Sequence, residues 1–356
     1  MPTKTVSRKA DHVRICLESD VEAGDTGLDC IRFIHSPLPE VDREEVKASS
    51  DVMGRKLRLP IIINAMTGGY EGATEINRAL ATAAQEHGIG LGLGSMRAMV
   101  EDPGMAKTYM VRDVAPDILL LGNIGLPQLL SRDFESIFGA MENIGVDGIA
   151  IHLNALQEAT QPEGETNFAG GIEVIREFSK KSRWPVVIKE TGAGIPRETA
   201  RSLERAGTEW LDVGGLGGTS FAAVESFRAE NSIERNLASS FSQWGIPTAA
   251  SLVEVRSSTE LKLIASGGIR NGIDAAKCMA LGADLAGFAS PVLKALMSGE
   301  DELNGFISLI SRQFITSMFL SGSRNLNDLR ESGIMITSWL RDWLLDRGID
   351  VSQFSH

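Results

Sequence analysis

Asp147-Gly-Ile-Ala-Ile-His-Leu-Asn-Ala-Leu-Gln-Glu158 runs from a short apolar strand straight into a cluster of polar side chains. Side chains on a strand alternate between its faces, so His152 and Asn154 point the same way. Packing alone does not call for an imidazole, two amides and a carboxylate where a strand ends. An ordinary polar strand end is the bland alternative. Convergence of this kind at a carboxyl-terminal strand end is what the mouth of a parallel α/β enzyme requires.

Seven further apolar runs flank this one in the same rhythm. They are Pro60–Asn64, Ile89–Leu93, Asp117–Leu121, Pro185–Ile188, Trp210–Val213, Leu261–Ala265 and Asp284–Phe288. Amphipathic stretches lie between them, including Glu75–His87, Gly171–Lys181, Arg197–Ala206 and Ile273–Leu281, which is the pattern of βα units. Eight such units predict an α/β fold, a (β/α)8 TIM barrel, whose usual size is about 250 residues. A doubly wound open sheet competes but seldom needs eight successive parallel strands. We expect the barrel over residues 59–298. Residues 1–58 form an N-terminal extension, with a hairpin-like segment built from Leu28–Phe33 and Asp51–Leu57. Residues 299–356 read as C-terminal helices packing on the barrel. The polar segment 220–245 reads as a long loop or insertion, and such loops often act as covers.

Composition narrows the function. The 356 residues are 43% hydrophobic, enough for a sizeable core, and the net charge is −12. That charge argues against a nucleic-acid partner held by a broad basic surface, but a few local cations can still hold an anionic small molecule. Cys16, Cys30 and Cys278 show neither disulfide nor zinc spacing. The absence of a signal-like start or a bilayer-length apolar run gives the expectation of a soluble, cytoplasmic protein without a membrane partner.

Each expected strand delivers small, polar or charged residues at its end. These are Ala65-Met-Thr-Gly-Gly69, Gly94-Ser-Met-Arg97, Gly122-Asn123, the His152–Glu158 cluster, Lys189-Glu190, Gly214–Thr219, Ser266-Gly-Gly268 and Ala289-Ser290. Gly267-Gly268 and Ala289-Ser290, after strands seven and eight, stand where barrels commonly bind phosphate through backbone N–H groups and a helix start. Arg97 is well shaped for a phosphate contact. Lys189, at the end of an apolar strand, needs a negative partner. It could pair with Glu190 or Glu158, serve as a Schiff-base amine, or face the N1–C2=O edge of a flavin. Arg8-Lys9, with His12 one helical turn later, is by itself an unremarkable basic pair.

Taken in order, Arg8-Lys9 with His12, Met66–Gly69, Gly94–Arg97, His152–Glu158, Lys189-Glu190, Gly217–Thr219 and Ser266–Gly268 resemble the type 2 isopentenyl-diphosphate isomerases. These are FMN-dependent barrels of isoprenoid biosynthesis, and the resemblance runs from Arg8 to about Leu293. It implies reduced FMN and Mg2+ as cofactors, NADPH as reductant, and a homotetramer or homo-octamer. It also implies FMN contacts from Ala65, Met66, Thr67, Gly68, Ser95, Asn123, Lys189 and Thr219, with Gly267, Gly268, Ala289 and Ser290 cradling the flavin phosphate. Arg8, Lys9, His12, Ser95, Arg97, His152 and Asn154 resemble substrate contacts. Gln157 matches a residue beside the hydrocarbon end, and Glu158 the metal ligand, so His152, Gln157 and Glu158 are the expected catalytic group. Many relatives carry glutamine where Met96 stands and serine where Gly214 stands. The first departure implies one polar contact fewer near the substrate.

The resemblance implies an isomerase that adds a proton at a terminal alkene carbon and removes one from C2, interconverting isopentenyl and dimethylallyl diphosphate. The nearest alternative is an FMN-dependent 2-hydroxy-acid dehydrogenase or oxidase. That chemistry wants a histidine base beside an arginine late in the barrel. Arg270 is available, but no histidine lies between His152 and His356. A barrel that binds a phosphate ligand without turnover is the non-enzyme alternative.

Overall fold

The computed structural model describes residues 4–354, with side chains from Arg8 onward, so Met1–Thr3, Ser355 and His356 lie outside it. Eight strands, Ile61–Ile63, Gly90–Gly92, Leu120–Gly125, Gly148–Leu153, Val186–Glu190, Trp210–Asp212, Lys262–Ala265 and Leu285–Phe288, form one closed barrel in chain order. Every neighbouring pair is parallel, and the eighth strand returns to the first through Ala286 opposite Ile61 and Phe288 opposite Ile63. The period of two divides the side chains. Ile62, Leu121, Val187, Ile264 and Leu285 fill the interior, whereas Ile61, Ile63, Leu91 and Ile151 join the layer under the helices. Burial of each such side chain contributes about 1.5–3 kcal/mol.

The third strand begins three residues later than the apolar run predicts, and it continues through Gly122 and Asn123 to Gly125. Those residues have weak strand propensity, but they pair with Ile149, Ala150 and His152 of the long fourth strand, and this ladder overrides propensity. Asn123 therefore sits within the strand rather than after it.

The N-terminal extension has three parts. Helix Lys4–Glu18 lies across the barrel mouth, packing on helices Phe221–Arg228 and Ser290–Ser298. A true hairpin, Ser50–Val52 with Arg55–Leu57, turns at Met53-Gly54 with both φ values positive. Its Val52, Met53 and Leu57 plug the end of the interior core opposite the mouth, where Arg55 pairs with Asp147 at 2.8 Å. Leu28–Phe33 does not join this hairpin, contrary to the expectation. Ile31–Phe33 instead pairs antiparallel with Ile334–Ile336, because Ile31 and Ile336 face each other in a buried position. The C-terminal region is accordingly not helical throughout.

The segment read as a long loop is mostly helix, Phe221–Arg228 followed by Ser232–Ser240. Ser220 and Asn231 cap them by accepting from backbone N–H groups. The segment's many polar and charged residues, with Phe227, Ile233 and Leu237 left exposed, gave it the look of a surface loop. No helix among the described residues is long and apolar enough to cross a membrane.

Helix Glu300–Leu320 closes the outer layer on helix Gly272–Ala280. A Cβ at Gly272 would stand 2.1 Å from the carbonyl oxygen of Ile310, whereas one at exposed Gly305 would meet nothing within 4 Å. Gly272→Ala should therefore cost about 1–3 kcal/mol by forcing the helices apart. Gly305→Ala should stabilise by about 0.5–1 kcal/mol. Urea unfolding midpoints measure both, and equal effects would contradict this packing.

Candidate active site

A cavity of about 270 Å³ opens at the carboxyl ends of the strands, and every site residue named from the sequence lines it. The strand ends supply most of these groups, and helix Lys4–Glu18 supplies Arg8, Lys9 and His12 from above. Positions 8, 12 and 16 fall on one helical face, which is why the arm presents Arg8, His12 and Cys16 together. A smaller space of about 10 Å³ lies beneath, between Asn64, Lys189 and Asp212, room for one water.

The floor is organised by buried Asp212. Its carboxylate accepts from Lys189 Nζ at 2.8 Å, Ser266 Oγ at 2.5 Å, Asn64 Nδ2 at 3.3 Å and the Gly214 N–H at 3.2 Å. Lys189 is thus paired with Asp212, its register partner on the next strand, and not with Glu190 or Glu158. Glu190 instead accepts the backbone N–H groups of Gly192 and Ala193 at 2.6 and 2.5 Å. Burial raises its pKa to about 7, and those hydrogen bonds offset only part of the rise.

One wall carries the fourth-strand cluster. His152 Nδ1 lies 2.7 Å from Asn123 Oδ1, so the proton belongs on Nδ1 and Nε2 is the accepting nitrogen. Burial lowers the His152 pKa to about 4, with the charges of Lys189, Lys9 and Arg8 adding to the effect, so the ring is neutral near pH 7. Glu158 is buried and rigidly held. Asn154 Nδ2 donates to it at 2.8 Å, Gln161 Nε2 at 2.6 Å and the Glu165 N–H at 2.7 Å. Gln157 Nε2 reaches Glu225 Oε1 at 3.4 Å, and His12 Nε2 meets the same oxygen at 2.8 Å. Burial works to raise the Glu225 pKa, but His12 and Arg228 outweigh it and hold the carboxyl below its ordinary value.

Beside this cluster the cavity is cationic. Lys9 Nζ donates to the Ser95 carbonyl at 2.7 Å, and the Tyr109 hydroxyl donates to the same carbonyl at 2.6 Å. Burial lowers the Lys9 pKa to about 7, assisted by neighbouring Arg8. Arg97 Nε donates to Glu101 at 2.7 Å and its Nη2 to Glu165 at 3.0 Å. A chain of net charge −12 therefore gathers Arg8, Lys9, Arg97 and Lys189 around one cavity.

The residues present fit a flavin phosphate. Gly267 and Gly268 have φ of +101° and +72°, and a Cβ at either would lie within 2.2 Å of a backbone oxygen of Gly215 or Gly217. That leaves bare backbone facing the cavity. Helix Ser290–Ser298 starts beside it, and Ala289 provides no side-chain cap for its first N–H groups. The Thr67 hydroxyl is buried with no hydrogen-bond partner among the described residues. A hard cation also fits. Asn154 Oδ1 and Gln161 Oε1, the amide oxygens of two groups that donate to Glu158, lack partners among the described residues. No cluster of three or more acidic, histidine or cysteine side chains that could hold a metal occurs among the described residues. That set suits Mg2+, which takes one or two carboxylates and completes its shell with water and substrate phosphate.

Sequence reasoning missed Asp212 and Glu225. Asp212 carried a signal, since an acid inside Trp-Leu-Asp-Val is as anomalous as Lys189 one strand earlier. Glu225 carried none, because it lies in the segment read as a loop. Met96 is fully buried and does not line the cavity. At Gly214 a Cβ would stand 2.1 Å from the Glu190 carbonyl oxygen, so this backbone has no room for serine.

Comparison with known proteins agrees with this geometry. Residues 153–336 match the family model for FMN-dependent dehydrogenases. The fold is also that of a flavocytochrome b2 variant with bound sulfite, at TM-score 0.68 and 18% identity over 96% of this chain and 85% of that one. A mandelate oxidase variant gives TM-score 0.63 at 19% identity, over 94% and 99%. The fold and the match define an FMN-dependent (β/α)8 barrel. Within that class, the isopentenyl-diphosphate delta-isomerase of Pyrococcus abyssi is 46% identical over 99% of this chain and 98% of its own length. Those of Archaeoglobus fulgidus and Methanosarcina mazei are 43% and 42% identical, covering 97% and 100% of this chain and 99% and 98% of theirs. The chain belongs to the isopentenyl-diphosphate delta-isomerase family.

The depressed His152 pKa has a testable consequence. The unfolded chain takes up this proton near pH 6.5 and the folded chain only near 4, so the unfolded state binds more protons between these values. The neutral ring's contribution is complete above about pH 6.5 and is lost as pH falls toward 4. Glu190 titrates in the opposite sense over an overlapping range, so the comparison must be with His152→Asn. The stability of the parent relative to this variant should fall from pH 6.5 to 4. A difference independent of pH would contradict the assignment of a neutral ring.

Proposed function

We propose that this chain interconverts isopentenyl diphosphate and dimethylallyl diphosphate, with FMN bound in the barrel mouth. The observation that carries the reading is the division of one cavity between a cationic side and a side lined by neutral amide and imidazole groups. Arg8, Lys9 and Arg97 supply charge for a diphosphate, assisted by the Ser95 segment and by neutral His152. Lys9, with its pKa near 7, gains full charge when an anion arrives beside it. Met66, Thr67, Gly68, Asn123, Lys189 and Thr219 would hold the flavin, and Gly267, Gly268, Ala289 and Ser290 its phosphate.

In the reaction a C–H bond forms at the terminal alkene carbon and another breaks at C2, with no net oxidation. When bound, reduced FMN supplies an electron-rich ring face and a proton-carrying N5. The chain's own residues set the geometry around it. Gln157, seated on Glu225, presents an uncharged amide to the hydrocarbon end and can accept or relay a proton without stabilising a competing charge. Glu158 would hold Mg2+ against the diphosphate, with Asn154 and Gln161 fixing its carboxylate. Lys189, neutralised in part by Asp212, would face the flavin ring.

The hydroxy-acid dehydrogenase reading finds less support. Arg270, the arginine it would use, is paired with Glu22 at 2.8 Å. His356, the only histidine after His152, lies outside the described residues. Mg2+, NADPH as reductant, a cytoplasmic location and a tetramer or octamer rest on the family resemblance.

Glu158→Gln should lower isomerase turnover about 100-fold or more, because the amide no longer offsets metal charge. Bound FMN should be retained, since Glu158 lies on the wall opposite the glycine cradle. Turnover with reduced flavin across a Mg2+ titration, alongside the flavin absorbance of the purified variant, measures both. A variant as active as the parent at low Mg2+ would contradict the assignment.

A further inference from the structure

The loop that follows helix Ala155–Thr160 reaches both sides of the cavity. It is pinned closely, because a Cβ at Gly164 would overlap the Glu158 carbonyl oxygen at 1.8 Å, so only glycine allows the chain to turn there. Beyond it, the Glu165 N–H holds Glu158, while the Glu165 carboxylate points to the other wall. There Oε1 accepts from Arg97 Nη2 at 3.0 Å and Oε2 from Gln128 Nε2 at 3.0 Å. Arg97 and Gln128 come from different elements, and both line the cavity. Two cavity-lining donors thus converge on one carboxylate, an arrangement that a phosphate oxygen would reproduce. Glu101 binds the same guanidinium through a different nitrogen, Nε.

We propose that Glu165 is a tethered internal anion that occupies Arg97 and Gln128 until the substrate's diphosphate displaces it, and that Gln128 is a further diphosphate contact. The inference rests on the proposal that Arg97 receives a diphosphate. Glu101 holds the guanidinium through Nε, and Glu165 competes for Nη2. The competition keeps the cationic wall neutralised when substrate is absent and weakens diphosphate binding by the strength of one partly exposed ion pair. The Glu165 side chain is 44% exposed, so that strength is modest and sensitive to salt.

Glu165→Gln removes the competing charge but keeps the backbone N–H that holds Glu158. Titration calorimetry of inorganic diphosphate into the FMN-loaded, Mg2+-supplemented protein tests the idea across the parent, Glu165→Gln, Arg97→Gln and the double variant. At low ionic strength Glu165→Gln should bind diphosphate about 2- to 5-fold more tightly than the parent. The gain should fade by about 0.5 M salt and vanish in the Arg97→Gln background. The KM for isopentenyl diphosphate should fall in parallel, with kcat within about twofold of the parent. Binding that is unchanged or weaker in Glu165→Gln, while Arg97→Gln loses affinity, would overturn the inference and leave the function standing. Failure of the parent to bind diphosphate, or full binding by Arg97→Gln, would overturn the diphosphate reading and the inference with it.

Discussion

The site depends on one buried carboxylate. Asp212 joins Lys189 from the fifth strand, Ser266 from the end of the seventh and Asn64 from the end of the first. A closed parallel barrel brings all eight carboxyl-terminal strand ends to one rim, but closure alone does not fix side chains to fractions of an ångström. Asp212 does so by satisfying donors from three other strand ends at once. It also makes a buried ammonium affordable beneath the cavity, because an unpaired Lys189 would be strongly destabilising there. Lys189, Ser266 next to Gly267-Gly268, and the floor of the cavity take their positions from this group.

A second constraint is electrostatic. The chain is acidic overall, yet its mouth concentrates cations that must be tolerated when no anion is bound. Three of the four are handled locally. Lys189 has Asp212, Arg97 has Glu101 and Glu165, and half-buried Lys9 tends toward its neutral form. His152 stays neutral for the same reason, since protonation would add charge beside Lys189, Lys9 and Arg8. The cavity is thus poised to receive negative charge. Glu225 ties His12 of the N-terminal arm to Gln157.

Much of this was legible in the sequence. Short apolar runs and polar strand ends locate eight strands, because buried parallel strands read as apolar runs whose chemistry begins where they stop. The ordered motifs locate the lining residues, all of which face one cavity. Three features were not legible. The third strand runs on through Gly122 and Asn123 because its neighbour is long, a tertiary effect. The helices in 220–245 are short and rich in polar and charged residues, so the segment read as a loop and Glu225 was missed with it. Pairing of Ile31–Phe33 with Ile334–Ile336 joins segments some three hundred residues apart, which no local pattern specifies.

The proposed reaction uses the flavin of this barrel without net oxidation. The most direct test is anaerobic incubation of isopentenyl diphosphate with the FMN-loaded protein and Mg2+, with the flavin either oxidised or reduced by dithionite. Dimethylallyl diphosphate should form only with reduced flavin, and the flavin spectrum should remain that of the reduced form throughout turnover. Absence of product with reduced flavin, or product formation matched by stoichiometric flavin reoxidation, would contradict it.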